Sequence, residues 1–153
     1  MRALRRRVLA AGVVAGCVAA CAPVMAQGIA AYRIDADAIA APLAAAGDIV
    51  RGRAIAGNRE QSGCVLCHAI PGEKISGNIG PPLAGVGARL SVPQLRLRLV
   101  DSTRINPQSP MPAYYRVDGL TQVAAAFRGK PVLNAQEIED VVAWLASQRE
   151  VAQ

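Results

Sequence analysis

Apolar and polar positions alternate with helical spacing in a few stretches of this chain, and proline and glycine fill the gaps between them. Asp48 can cap a helix running from Ile49 to about Gln61, with Ile49, Ile55 and Ala56 inward and Arg51, Arg53, Arg59 and Glu60 in water. Gly52 falls on the inner side of that helix. Glycine there costs roughly 1 kcal/mol relative to alanine, and close approach by a second helix is the usual compensation. Ser91, Val92 and Pro93 form a second helix start, with Ser91 as cap and proline in the first turn. The following Leu95, Leu97 and Leu99 alternate strictly with Arg96 and Arg98, a strand pattern, yet Leu95 and Leu99 also share a helix face. The cap and the absence of partner strands favour helix, which places Arg96, Arg98, Arg104 and Arg116 on a solvated, positive face. A short helix is expected over Leu120–Phe127, ended by Gly129, Lys130 and Pro131. Asn134 and Glu137 then resemble a capping box. Ile138, Val141, Val142 and Leu145 recur at helical spacing, with Trp144 on the same broad face and Glu137, Glu139 and Asp140 polar. This last helix is expected to cross the first one near Gly52.

Composition sharpens the picture. The chain has 153 residues, enough for one domain, and only 3% of them are aromatic, with Phe127 and Trp144 the only ones besides tyrosine. That is a thin supply of large core side chains, which a buried apolar cofactor would make good. Most of the 10 prolines and 14 glycines lie between Gly57 and Gly129, so ordered loops rather than sheet are expected there.

The formal charge of +6 is misleading, because residues 1–26 hold four arginines and no acid. Without them 13 basic face 11 acidic residues, and no basic stripe interleaved with aromatics marks a nucleic-acid surface. Residues 1–26 read as an export signal. Arg2, Arg5, Arg6 and Arg7 form the charged start, Val8 to Ala20 the apolar run, and Val24-Met25-Ala26 a cleavage signal before Gln27. Export implies the periplasm. Cys17 and Cys21 each end a lipobox-like string, and lipidation at either would tether the protein to a membrane. Otherwise they are small residues of the apolar run. Residues 27–47 form an Ala-rich N-terminal arm, read as a short helix broken near Pro42 or as a frayed, mobile terminus. Residues 48–153 form the remaining domain.

The chemistry concentrates at Cys64-Val65-Leu66-Cys67-His68. Two cysteines three apart with histidine directly after the second form the attachment signature for c-type haem. Each thiol adds across one haem vinyl group, and His68 is placed to ligate the iron. A zinc site would need more ligands, and His68 is the only histidine in the chain. A redox CxxC would want a βαβ context, which this sequence lacks. For the sixth iron position, Met111 is the only methionine besides Met1 and Met25, which lie in the export segment. Pro110 and Pro112 flank it, favouring an extended loop that lowers the ordering cost of a weak thioether ligand. Histidine and methionine together leave no open position and favour ferrous iron, which suits an electron carrier.

After His68 the stretch Gly80-Pro81-Pro82-Leu83 is similar to the one that runs beneath the proximal histidine in small monohaem cytochromes c. That resemblance implies that the Pro81 carbonyl accepts a hydrogen bond from His68 Nδ1–H, which fixes the ring so that Nε2 faces the iron. From Asp48 to Arg149 the chain resembles a class I cytochrome c, an all-α fold with one covalent haem c wrapped by helices and long loops. Several phrases in order are similar to the SoxX-type monohaem cytochromes. They are Cys67-His68-Ala69-Ile70-Pro71-Gly72, Asn78 through Leu83, Asn106-Pro107 with Met111-Pro112, Tyr115 through Leu120, and Glu139 through Trp144. The two lipobox-like cysteines and Trp144, where tyrosine is expected, depart from that pattern. The resemblance implies a subunit that pairs with a SoxA-like cytochrome, in a complex that oxidatively joins thiosulfate to a cysteine of a SoxYZ-like carrier protein. The subunit would pass electrons to a soluble cytochrome c and hold no catalytic residue of its own. A free-standing or lipid-tethered shuttle is the other reading.

Overall fold

The computed structural model describes residues 29–150, so the export segment with Cys17 and Cys21 lies outside the described residues. Among the described residues, five α-helices and two single 3-10 turns follow in order, joined by long loops. They are α1 (Ile49–Gly57), α2 (Cys64–Cys67), α3 (Val86–Arg89), α4 (Val92–Asp101) and α5 (Ala135–Ser147), with the 3-10 turns at Ser102–Arg104 and Ala125–Phe127. Among the described residues the only bridge pairing is the isolated one between Asp35 and Ala38. No described helix is long and apolar enough to cross a membrane.

The caps do what the sequence implies. Asp48 accepts from the Arg51 amide at 2.8 Å. Gln94 Oε1 accepts from the Ser91 amide at 3.0 Å, and Asn134 and Glu137 close a reciprocal capping box at 3.0 and 2.8 Å. Each cap satisfies amides that the first turn of a helix leaves without partners. The first helix is shorter than expected and ends at Gly57, because Asn58 breaks it and its side chain accepts from the Glu60 and Gln61 amides at 2.9 and 3.1 Å. The stretch Leu120–Phe127 is not a helix beyond the turn at Ala125–Phe127. Gln122 takes a left-handed φ of 57° two residues into it, which no right-handed helix accommodates.

α5 is the centre of the molecule and packs against α1, α4 and α3. Three glycines press backbone against it. A Cβ on Gly52 would lie 1.9 Å from the Asp140 carbonyl oxygen, one on Gly47 2.0 Å from that of Glu139, and one on Gly87 2.3 Å from that of Ala146. The crossing of α1 and α5 at Gly52 is therefore the one expected from the sequence, and Trp144 is buried beside it. Ile49, expected inward, is half exposed, because it is the first residue of α1 and lies beyond the helix crossing at Gly52.

Two polar residues of α5 are not in water. Glu139 is buried and receives a two-pronged contact from buried Arg96 of α4, Nε to Oε1 at 2.7 Å and Nη2 to Oε2 at 2.9 Å. The remaining Arg96 nitrogen donates to the Ile39 carbonyl at 2.6 Å, and the Leu43 amide donates to Glu139 at 2.9 Å. The arm at 29–47 is thus neither helix nor frayed end. It lies across α4 and α5 with Ile39 and Leu43 buried, tied down by a buried ion pair. The expected positive face is corrected accordingly: Arg96 is interior, and Arg116 lies 2.8 Å from buried Asp101. Asp140 accepts from the Asp48 amide, Arg51 and Gln136. The Arg51 guanidinium beside it holds its carboxyl down at about 2, below the ordinary 3.8. Because that pKa is depressed, the stabilisation is complete above the ordinary value and is lost as pH falls toward about 2.

Glu139→Gln leaves Arg96 buried without its counter-charge and is expected to destabilise the fold by about 3–5 kcal/mol. Arg96→Met combined with Glu139→Leu is expected to recover part of that loss. Denaturant unfolding followed by far-ultraviolet circular dichroism checks both. A double variant as unstable as the single one would mean the pair does not act as a unit.

Candidate haem site

The Cys64–Cys67 turn is a single turn of helix, α2, entered through Gly63 at a φ of 65°. Only glycine adopts that left-handed conformation without strain, so the turn starts abruptly. The turn is anchored from both sides. Cys64 N–H donates to Ser62 Oγ at 3.4 Å, and Ser62 Oγ in turn donates to the Ile55 carbonyl in the last turns of α1 at 2.7 Å. Cys64 is buried and Cys67 half-buried, and both are free thiols.

His68 ends the turn in an extended conformation, its amide donating to the Cys64 carbonyl at 2.9 Å. The loop that follows runs back along α2. The Gly77, Gly80 and Leu83 amides donate to the Val65, Cys67 and Ala69 carbonyls at 2.8, 2.8 and 2.9 Å. Arg53 of α1 braces the same loop through the Pro71 carbonyl at 3.1 Å and Glu73 at 2.8 Å. Pro81 sits between the last two of these ties, and its carbonyl accepts from His68 Nδ1–H at 2.7 Å. The expected contact is therefore present. A carbonyl can only accept, so Nδ1 carries the proton and Nε2 presents its lone pair outward.

Gly80 matters more than its sequence context suggests. A Cβ there would lie 2.4 Å from His68 Cε1 and 2.6 Å from Nδ1, so the backbone itself forms the wall behind the imidazole. Periodicity carries no trace of this. The only sequence signal is a glycine directly before the Pro81-Pro82 pair.

The segment that follows Met111 reaches the cysteine turn through Tyr114, three residues on. The Tyr114 hydroxyl donates to the Ser62 carbonyl at 2.8 Å and lies 3.6 Å from Cys64 Sγ. Burial pushes the phenol pKa well above its ordinary value, with the Cys64 thiol adding to the shift, so it stays protonated and remains a donor. Met111 is half-buried against the core, and its carbonyl accepts from Ser102 Oγ at 2.6 Å. Sequence reasoning did not assign a role to Tyr114, Ser102 or Ser62, since each acts through a partner distant in the chain.

These residues fit a covalent haem. Two free thiols lie one turn apart, the histidine after them offers Nε2, and a thioether segment is tied to the cysteine turn. Large apolar side chains stand exposed beside them: Ile75 at 78% and Ile79 at 71% in the loop after His68, and Leu66 within α2 itself. Among the described residues no three His, Cys, Asp or Glu side chains gather as a bare metal ion would require. An open cleft of about 290 Å³ between Ile29, Leu43, Tyr115 and Gln136 lies under the N-terminal arm and takes in none of these residues.

Gly80→Ala is expected to push the imidazole off the Pro81 carbonyl and to cost about 1–3 kcal/mol of stability, the usual range for overpacking. Nitrogen-15 NMR of the His68 ring checks it. An unchanged, exchange-protected Nδ1–H would show that the wall is softer than its geometry indicates.

Comparison with known proteins agrees with this geometry. The cytochrome c family model matches residues 49–149. A search of the curated proteins gives no match. Among solved structures, a chain of SoxXA from P. pantotrophus is 36% identical, superposes with a TM-score of 0.71, and is matched over 95% of its length and 78% of this chain. The chain belongs to the cytochrome c family and is a SoxX-like member of it.

Proposed function

We propose that this protein is the SoxX-like electron-transfer subunit of a SoxAX-type complex in the periplasm, carrying a single haem c. The observation that carries the reading is the match over 95% of a chain of SoxXA at 36% identity, with a site that keeps His68 on the Pro81 carbonyl. Cytochromes c hold their haem covalently. Cys64 and Cys67 would hold it through thioethers, and His68 Nε2 and Met111 would ligate its iron. The bound haem supplies one-electron storage at constant ligation.

The chain's own residues do the rest. Pro81 and Gly80 fix the imidazole tautomer and plane, so the ring has no second orientation to sample. With His68 and Met111 both on the iron, small exogenous ligands would be excluded, and the neutral thioether would favour ferrous iron and raise the potential. Such a site accepts electrons readily and does little chemistry of its own. In the complex, thiosulfate and a thiol of a SoxYZ-like carrier are joined by a sulfur–sulfur bond. That releases the thiol proton and two electrons. A SoxA-like partner holds the catalytic centre, and the present chain passes the electrons one at a time to a downstream soluble cytochrome.

Met111→Ala is expected to convert the iron to a high-spin form and lower its potential. An absorption spectrum identical to that of the parent would remove Met111 from the ligand set. The wider reading is tested by mild purification from the periplasm with haem staining of the gel. A second haem polypeptide at equal stoichiometry, and reduction of the haem only when thiosulfate and carrier are both present, are expected. A single haem band that takes electrons from any generic donor would instead identify a free-standing shuttle.

A further inference from the structure

We propose that Ser102 and Tyr114 are positioning residues for Met111, fastening the proline-rich ligand segment at and just after the methionine: Ser102 to the end of α4, and Tyr114 to the turn that leads into the Cys64–Cys67 helix. The inference rests on the reading of Met111 as the axial ligand.

The segment from Asn106 to Pro112 has one backbone tie to the body of the protein, at its start, where the Asn106 amide donates to the Ser102 carbonyl at 3.1 Å. Pro107, Pro110 and Pro112 have no amide to donate. The amides of Gln108, Ser109 and Met111 are satisfied within the segment, by Asn106 Oδ1 at 3.0 Å, the Asn106 carbonyl at 2.9 Å and Ser109 Oγ at 3.2 Å. These bonds shape the loop but tie it to nothing else.

The fastening comes from two buried residues. Ser102 is 5% exposed, and its hydroxyl donates to the carbonyl of Met111 itself at 2.6 Å. Tyr114 is 3% exposed and is held three ways. Its amide donates to the Leu99 carbonyl at 3.0 Å, its carbonyl accepts from Leu133 at 3.0 Å, and its hydroxyl donates to the Ser62 carbonyl at 2.8 Å. Ser62 is itself fixed to α1 through the Ile55 carbonyl at 2.7 Å. The route from the methionine backbone to the cysteine turn is thus short and continuous.

A thioether is a weak, neutral ligand, so its occupancy depends on how rarely its loop opens. Local opening of a loop requires less free energy than global unfolding and is governed by the loop's own ties. Ser102 and Tyr114 therefore set the population of the state with methionine off the iron. A core residue elsewhere would change global stability and leave that population alone.

The test uses imidazole, which enters the ferric site only when methionine leaves. On the intact haem-loaded protein, Ser102→Ala and Tyr114→Phe are each expected to tighten apparent imidazole binding about fivefold, the factor one net hydrogen bond supplies. Ile138→Val, a trim of a fully buried residue on α5, is the control. It is expected to lower the thermal midpoint without changing imidazole affinity. Imidazole affinity unchanged in both loop variants, or rising equally in the Ile138→Val control, overturns the proposal. Loss of the thioether-to-iron charge-transfer band in Met111→Ala keeps this outcome separate from an error in the ligand assignment. If that band is absent already in the parent, it is the ligand reading that fails. Should Tyr114→Phe fold poorly, Ser102→Ala alone decides, since it removes one hydroxyl and leaves the ring in place.

Discussion

Two helices from opposite ends of the chain meet at Gly52 with no room for a methyl group between them, and the haem site depends on that contact. A Cβ on Gly52 would reach to 1.9 Å from the Asp140 carbonyl oxygen, well inside any tolerable separation. Burial of the helix pair fixes α1 in place, and α1 leads directly into Ser62 and the cysteine turn. Arg53, on the same helix, reaches the loop after His68 and stacks over Trp144 at 5.8 Å. The position of the histidine therefore descends from a backbone contact on the far side of α1. A side chain at residue 52 would shift the site without touching it.

The site itself is built from ties to backbone carbonyls. His68 is held by the carbonyl of Pro81, Tyr114 by that of Ser62, and Met111 by its own carbonyl on Ser102. Main-chain acceptors are anchored at both sides by the chain, so they move less than side-chain acceptors. For an electron carrier this is the relevant economy. The barrier to transfer rises with every ligand that must shift between oxidation states, and a histidine pinned to backbone has little to reorganise. The prolines serve the same end, since Pro81 and Pro82 bring no amides that could compete for the carbonyls around them.

Much of this was legible in the sequence where the signal is local. The CxxCH string, the caps at Asp48, Ser91 and Asn134, the glycine at the helix crossing and the Pro81 contact all depend on residues within one turn or on one recognised resemblance. What failed depends on distant partners. Arg96, Glu139 and Asp140 look like solvent-facing positions because periodicity assumes that a helix buries one face. α5 buries nearly all of its circumference, since the arm at Ile39 and Leu43 covers the side that α1 and α4 leave open. That arm carries too weak an apolar pattern to announce itself. The expected helix at Leu120–Phe127 failed for the opposite reason. Its composition suits a helix, but Gly119 at a φ of 65° and Gln122 at 57° turn the chain twice within four residues.

The adjacent acids on α5 explain why a buried ion pair is retained where apolar residues of similar size would pack as well. Glu139 and Asp140 point to different neighbours: Glu139 takes Arg96 and the arm, while Asp140 takes Asp48 and Arg51 at the start of α1. An apolar pair at these positions would bury comparable area, but it would hold the arm and α1 at no particular register, because hydrophobic contact has no direction. Hydrogen-bonded carboxylates have direction, and a slip of one residue on α5 would exchange the partners and leave a charge unpaired. The cost of burying charge is thus exchanged for registry. Registry at Gly52 is what the cysteine turn inherits, so the two carboxylates act on the haem site through the helix crossing rather than through any contact with it.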